Sequence, residues 1–302
     1  GGNVGLVTVR KVPPTSACNY FMVTQDVISN GAIRSDNQSI DSLFPLYLYP
    51  EPGQNSYHRS DAIEAARKAI RGREGLSPKE MSEQLNAVAE QVRRLYPQEE
   101  YPRWPNLAPD FLAEIETRLG LRYVPDTRPE GAPSKDGTFT PEDVFHYMYA
   151  VLHSPTYRSR YAPFLKSDFP RVPLTSDRAL FRDLVSLGSE LVELHLMRAP
   201  ELAQPASSYP QAGTDLVERV TYDEQERRVF INKTQHFTHV PPEVWEFHVG
   251  GYQVAEKWLK DRRGRKLSYD DQQHYKGIIT ALGRTIELMA RIDQRIPAWP
   301  LE

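Results

Sequence analysis

The densest chemical signal in this 302-residue chain is "GGYQVAEKWLKDRRGRK", residues 250–266. Six cations stand there, Lys257, Lys260, Arg262, Arg263, Arg265 and Lys266, against the single acid Asp261 within the same ten positions. Lysine and arginine at this density can neutralise phosphate groups. A helix C-terminus also favours cations without any ligand, so a solvated basic turn is the competing reading. A second group, Arg158, Arg160, Lys166, Arg171, Arg178 and Arg182, is diluted by Asp168, Asp177 and Asp183.

Metal and acid–base chemistry find less support. His236, His239 and His248 lie close in sequence, and two imidazoles with a carboxylate can bind a metal. The first two, however, fall at a strand end before Pro241-Pro242 rather than on one helix face, so they read as loop and core histidines and no metal site is expected. Glu142/Asp143 follow Thr140, and Asp270/Asp271 follow Ser268, as first-turn helix charges do. The glycine-rich phosphate loops are absent, as is a G-x-S-x-G nucleophile elbow. "VPPT" and "VPPE" lack the preceding Asn, Asp or Ser and the following aromatic of an amine-methylating loop. No lysine has an acid two positions before it, which removes the Asp/Glu-x-Lys nuclease core.

The elements that would position these residues alternate in type. "VGLVTVRKV", "YFMVTQDVI" and "LFPLYLY" read as strands separated by turn residues. Ser77, Pro78 and Glu80 form a capping-box start for "MSEQLNAVAEQVRRLY". "PDFLAEIETRLGL" is a short helix between an irregular proline-rich connection and the linker "YVPDTRPEGAPSKDGT". Thr140 starts "VFHYMYAVLHS", Ser154-Pro155 starts a short helix "TYRSRYAPFL", and Ser176 is the expected cap of a helix with Leu180, Leu184, Leu187, Leu191 and Leu194 in one stripe. "LVERVTYDEQERRVFIN" is a hairpin turning at "YDEQER". "LSYDDQQHYKGIITALGRTIELMARID" is a final helix with Tyr275, Ile278, Leu282, Ile286 and Met289 on one face.

Formal charge is −3, so whole-chain charge gives no support for a polyanion partner, and distribution must carry that argument. From Glu51 to Asp143 there are 17 acids and 13 bases, which places the acidic excess away from the cluster. The lone Cys18 allows no intrachain disulfide, no apolar run spans a membrane, and a cytoplasmic home is expected. The opening "GGNVGLVTVRKV" has neither an initiator Met nor an apolar h-region, so the expectation is no signal peptide and a piece of something longer.

At this point the residues resemble a known family. "DVFHYMYAVLHSPTYRSRYAPFLKSDFPRVPL" and "GGYQVAEKWLKDRRGRKLSYDDQQHYKGIITALGRTIELMARID" are similar to blocks of the C-terminal specificity domain of type ISP restriction-modification enzymes and related single-chain adenine-N6 DNA methyltransferases. "VGLVTVRKV" followed by "FPLYLY" resembles that domain's first strands. The resemblance covers Val4 to Tyr49 and Trp104 to Asp293, and the stretch between Glu51 and Tyr101 looks like an insertion.

The resemblance implies sequence-specific recognition of double-stranded DNA, with no catalytic site and no cofactor in this fragment. S-adenosylmethionine would bind an upstream methyltransferase domain of the same chain, beside a helicase-like motor and a nuclease. The six cations would contact the DNA backbone. Base-reading candidates are Arg10, Lys11, Gln25, Arg34, Asp36, Asn37 and Gln38 in one loop region and Lys233, Gln235 and His236 in another. An interaction module, docking the upstream domains through the leucine-striped and final helices, is the alternative. A monomer is expected.

The expected fold is α+β, with an antiparallel-sheet recognition lobe built from both strand groups plus a helical lobe. Its divisions are 1–50 for the first strands, 51–102 for the helical insertion and 103–139 for a short helix and linker. The helical part follows at 140–200, the second strand group at 201–254 and the C-terminal helices at 255–302.

Overall fold

Alternating apolar residues in the opening segments build the first sheet of the protein. The computed structural model describes residues 3–28, 32–33, 40–72, 75–125 and 137–301. Strand β1 (Gly5–Val9) lies between β2 (Phe21–Thr24) and β3 (Asp41–Pro45), both antiparallel to it. Every residue of β1 is buried, because both of its faces are covered. The chain bends at Leu46, so "FPLYLY" divides between β3 and the short β4 (Tyr47–Leu48).

The next segment is closed by two short pairs, each a two-stranded sheet of its own. Strand β5 (Tyr57–His58) leads into α1 (Arg59–Arg71) and α2 (Pro78–Leu95), and β6 (Glu100–Tyr101) returns to pair with β5. Strand β7 (Trp104–Pro105) then pairs with β4. Strands β6 and β7 lie inside what reads by sequence as an irregular connection; their partners β5 and β4 stand far earlier in the chain, and such pairing has no local signature. The Ser77/Glu80 capping box forms as expected. Helix α3 (Pro109–Leu119) follows, then β8 (Arg122–Tyr123), parallel to β9 (Thr138–Phe139).

The helical centre is α4 (Pro141–His153) packed on α7 (Arg178–His195), with the short α5 (Pro155–Arg160) and α6 (Ala162–Leu165) between them. "TYRSRYAPFL" is thus two helices broken at Tyr161. The cap of α7 is Asp177 rather than Ser176: its carboxylate accepts from the amides of both Ala179 and Leu180. The five leucines of the α7 stripe are all buried in the chain's own core. Each contributes about 1.5–3 kcal/mol there and is unavailable for docking another domain, against the alternative reading.

The last third carries β10 (Thr221–Asp223), β11 (Arg228–Phe230) and β12 (His236–Phe237), then the short helix α8 (Pro242–Trp245). A tight β13 (His248–Val249) and β14 (Tyr252–Gln253) hairpin leads to α9 (Val254–Lys260) and the long α10 (Tyr269–Arg295). The fold is α+β. The two strand groups nevertheless form separate sheets, correcting the expected single lobe. Strands β1–β3 belong to the core of α4 and α7, whereas Val217, Val229, Ile231 and Phe237 pack with α9 and the first half of α10 in a second core. Among the described residues no helix is long and apolar enough to cross a membrane.

One polar chain crosses the α4–α7 seam. The Thr285 hydroxyl donates to the Ala281 carbonyl at 2.7 Å, so it must accept from His195 Nε2 at 2.9 Å. The other ring nitrogen, Nδ1, therefore accepts from the Tyr149 hydroxyl at 2.6 Å. His153 Nδ1 donates to the Tyr149 carbonyl at 2.8 Å. Burial pushes His195 down to about 4 and His153 well below the ordinary histidine range. Between the ordinary value of 6.5 and about 4 the unfolded chain binds a proton that folded His195 does not. Stability is therefore complete above that window and falls as pH is lowered through it, by on the order of 3 kcal/mol for His195 alone. Urea midpoints measured from pH 7.5 to 4 should begin to drop near pH 6.5, too high for carboxylates to be the cause. A flat profile from pH 7 to 5 would remove these histidines from the stability balance.

Candidate nucleic-acid interface

The basic stretch begins at a turn that admits only glycine. Gly250 joins β13 to β14 with φ of +57°, and a Cβ there would lie 1.9 Å from the Ile33 carbonyl oxygen. The amides of Gly250 and Gly251 donate to the carbonyls of Asn19 and Ile33, each at 3.0 Å, which fixes the hairpin to the N-terminal loops. Ala255 and Leu259 then bury the inner face of α9, while Trp258 lies against Tyr275 with 5.3 Å between ring centroids.

The six cations of this stretch divide into two sets. Lys257 is 2.7 Å from Asp261 and sits 4.8 Å over the Tyr252 ring; Lys260 is 2.8 Å from Glu256. Arg262 stacks 3.4 Å over the Trp258 ring, donates to the Trp258 carbonyl at 3.0 Å and lies 3.3 Å from Asp271. Asp271 is also the capping-box acid of α10, and the Ser268 amide, first among its partners, holds its carboxyl below the usual range. Arg262 therefore joins the end of α9 to the start of α10.

The second set is exposed on the turn that follows. Arg263 uses Nε on the Glu218 carbonyl at 3.0 Å, and Arg265 and Lys266 have no side-chain partner among the described residues. The positive excess of the stretch resides in these three residues.

This turn is joined to a second predicted group through one intervening segment. Segment 215–219 lies between them. On one side the Val217 amide donates to the Arg265 carbonyl, the Gly264 amide to Val217 and the Leu267 amide to Asp215. On the other side the amides of Glu218 and Arg219 donate to the Ile231 carbonyl, and Asn232 Nδ2 donates to Leu216. The basic turn and the 232–235 loop thus flank one segment, with exposed Arg219 contributing a further cation between them.

Gln235 is 0% exposed, which corrects its assignment as a base reader. Its Oε1 accepts from the Asp215 amide at 2.8 Å and from Asn232 Nδ2 at 2.9 Å. Its Nε2 donates to the Gln211 carbonyl at 3.1 Å and to Asp215 Oδ1 at 2.7 Å. Every hydrogen-bonding position of this amide is taken, so it frames the loop and has nothing left for a ligand. His236 is half-buried, with its ring 4.9 Å from that of Phe230 and Nδ1 3.2 Å from the Thr234 carbonyl. Lys233 and Thr234 alone among 232–236 are exposed.

The N-terminal candidates are dispersed. Arg10 ion-pairs with Asp168 at 3.0 Å, and Lys11 and Gln25 are exposed. Arg34, Asp36, Asn37 and Gln38 lie outside the described residues. Three of the six cations in the diluted basic group have structural work to do. Arg178 donates to the carbonyls that end α3, at Leu119 and Gly120; Arg182 binds the Thr138 carbonyl and ion-pairs with Asp143; Arg158 is buried. No group of three or more His, Cys, Asp or Glu able to hold a metal occurs among the described residues. Sequence reasoning missed Arg219, Asn232 and Asp215. The run "INKTQ" did carry a signal for one of them, since Asn at a strand end commonly bonds the backbone two residues on.

A family model described as the Type ISP C-terminal specificity domain matches residues 1–291. The chain belongs to this family. No curated protein sequence matches this specificity domain. Three solved structures share its fold. An ATP-dependent Type ISP restriction-modification enzyme, LlaBIII bound to DNA, is 14% identical with a TM-score of 0.59, over 100% of this chain and 16% of that one. A DrdV–DNA complex is 18% identical with a TM-score of 0.54, over 99% and 25%. A nuclease-deletion mutant of the Type ISP enzyme LlaGI, with a DNA substrate mimic, is 17% identical with a TM-score of 0.55, over 100% and 22%. The specificity domain thus spans a quarter or less of each of these chains.

Proposed function

We propose that this specificity domain recognises a short duplex DNA sequence. The observation that carries the reading is the meeting of three exposed cations, Arg263, Arg265 and Lys266, and the 232–235 loop on either side of segment 215–219. Specific recognition needs both kinds of group: phosphate contacts that set register and groups that read base edges. The DNA-bound state of the three solved structures supports the choice of ligand.

The finer reading is that the target is held for an adenine-N6 methyltransferase elsewhere in the same polypeptide, with a motor and nuclease licensed by the same event. S-adenosylmethionine would bind in that methyltransferase, which would extract the adenine from the stack to methylate it. This domain would supply binding and no catalysis, act within one chain and work in the cytoplasm. The test is selection from a randomised duplex library by the 302-residue chain. One enriched, asymmetric motif is expected; recovery of binding without any motif would refute the reading.

A further inference from the structure

We infer that Lys233 is a specificity-determining residue, an ammonium held on a rigid loop to read acceptors on a base edge in the major groove. The inference rests on the reading of this chain as a DNA-target reader. Five residues between β11 and β12 could form an ordinary polar turn, and an ordinary turn is solvated. This one is fastened from beneath. Asn232 Oδ1 accepts from the amides of Thr234 at 3.1 Å and Gln235 at 2.8 Å. Asn232 Nδ2 donates to the Leu216 carbonyl at 3.1 Å and to Gln235 Oε1 at 2.9 Å. Asp215 Oδ1 closes the network, accepting from Gln235 Nε2 at 2.7 Å and from the Tyr209 hydroxyl at 3.1 Å.

A satisfied amide network of this kind, centred on buried Gln235, holds one backbone conformation. Lys233 is exposed and has no side-chain partner among the described residues. A phosphate contact tolerates a mobile cation, whereas reading a base edge requires a donor whose origin is fixed. Placement agrees. The basic turn and the Lys233 loop stand on opposite sides of one intervening segment, two strand spacings or about 10 Å apart. The major groove is about 12 Å wide, so a loop entering it would leave Arg263, Arg265 and Lys266 beside a flanking phosphate backbone. The ammonium is a donor only, which matches the O6 and N7 acceptors of guanine.

The test is library selection with the wild-type chain and with Lys233→Ala, followed by salt titration on the selected duplex. The side chain is exposed, so the variant should fold, and circular dichroism checks this. Lys233→Ala should relax preference at one base position by about 5- to 150-fold and keep the rest of the motif, while Lys233→Arg should retain guanine there. An unchanged motif, or an equal loss of affinity for every sequence, overturns the assignment and leaves target recognition standing. A wild-type chain that selects no motif overturns both.

Discussion

The triple variant Arg263→Ala/Arg265→Ala/Lys266→Ala is expected to lose about 10²- to 10³-fold in affinity for every duplex at 0.1 M salt. Each cation that neutralises a phosphate releases condensed counterions, so three of them contribute about 2.7 to the slope of log K against log salt. That slope should decrease by this amount while the selected motif stays the same. Lys257→Ala/Lys260→Ala is the informative control, compared per cation removed, since it deletes two charges against three. Lys257 and Lys260 are already paired, at 2.7 Å with Asp261 and 2.8 Å with Glu256, and must leave those acids to meet a phosphate. Exposed pairs of this type are worth about 0–1 kcal/mol, so the control should show a smaller loss and a smaller change of slope for each cation removed. The triple variant should remain folded, since in side-chain contacts it gives up one bond, from Arg263 to the Glu218 carbonyl. Equal slopes for wild type and triple variant in a fluorescence-anisotropy salt series would exclude the turn from DNA contact.

Gly188→Ala is expected to destabilise the fold by about 3 kcal/mol or more. Gly188 lies in α7 where it crosses α4, and a Cβ built on it would be 1.9 Å from the carbonyl oxygen of His146 and 2.6 Å from its carbonyl carbon. Those atoms are helix backbone and cannot rotate away, so the helices must part. Parting loosens the packing of Leu184, Leu187 and Leu191, all buried. The thermal midpoint should fall by roughly 6–12 °C. Gly72→Ala is the contrast. Its backbone is right-handed with φ of −79°, and the nearest atom to a Cβ is 3.7 Å away, so it should be neutral or slightly stabilising. A Gly188→Ala midpoint within 2 °C of wild type, by about the same scale, would show that the α4–α7 seam adjusts at little cost.

Much of the local structure was legible in particular residues. Ser77 with Glu80, Thr140 with Asp143 and Ser268 with Asp271 each start a helix as a capping box, because the partners lie three residues apart. The α7 stripe and the turn at "YDEQER" follow from spacings of three to four and of two, and Gly250-Gly251 marks a turn because one of the pair has positive φ. Asp177 shows the limit at this level: choosing it over Ser176 required knowing which side chain reaches two amides.

The sequence by itself therefore determined the α+β class, the element types and the existence of a cation-rich stretch, since these depend on residues within a few positions of each other. It also held the acids that neutralise Lys257 and Lys260, four places along a helix turn. Tertiary structure alone decided the rest. Arg262 reaches Asp271 across a turn, Arg263 is tied to Glu218 from 45 residues away, and Gln235 is drawn under its loop by Asp215, 20 residues before it. It was equally tertiary structure that set the two strand groups into separate cores, and that placed Lys233 beside the turn of Arg265 and Lys266 through segment 215–219. Whether a polar side chain faces water or fills a buried network depends on which backbone folds over it, and that is fixed by contacts between distant segments rather than by any local spacing.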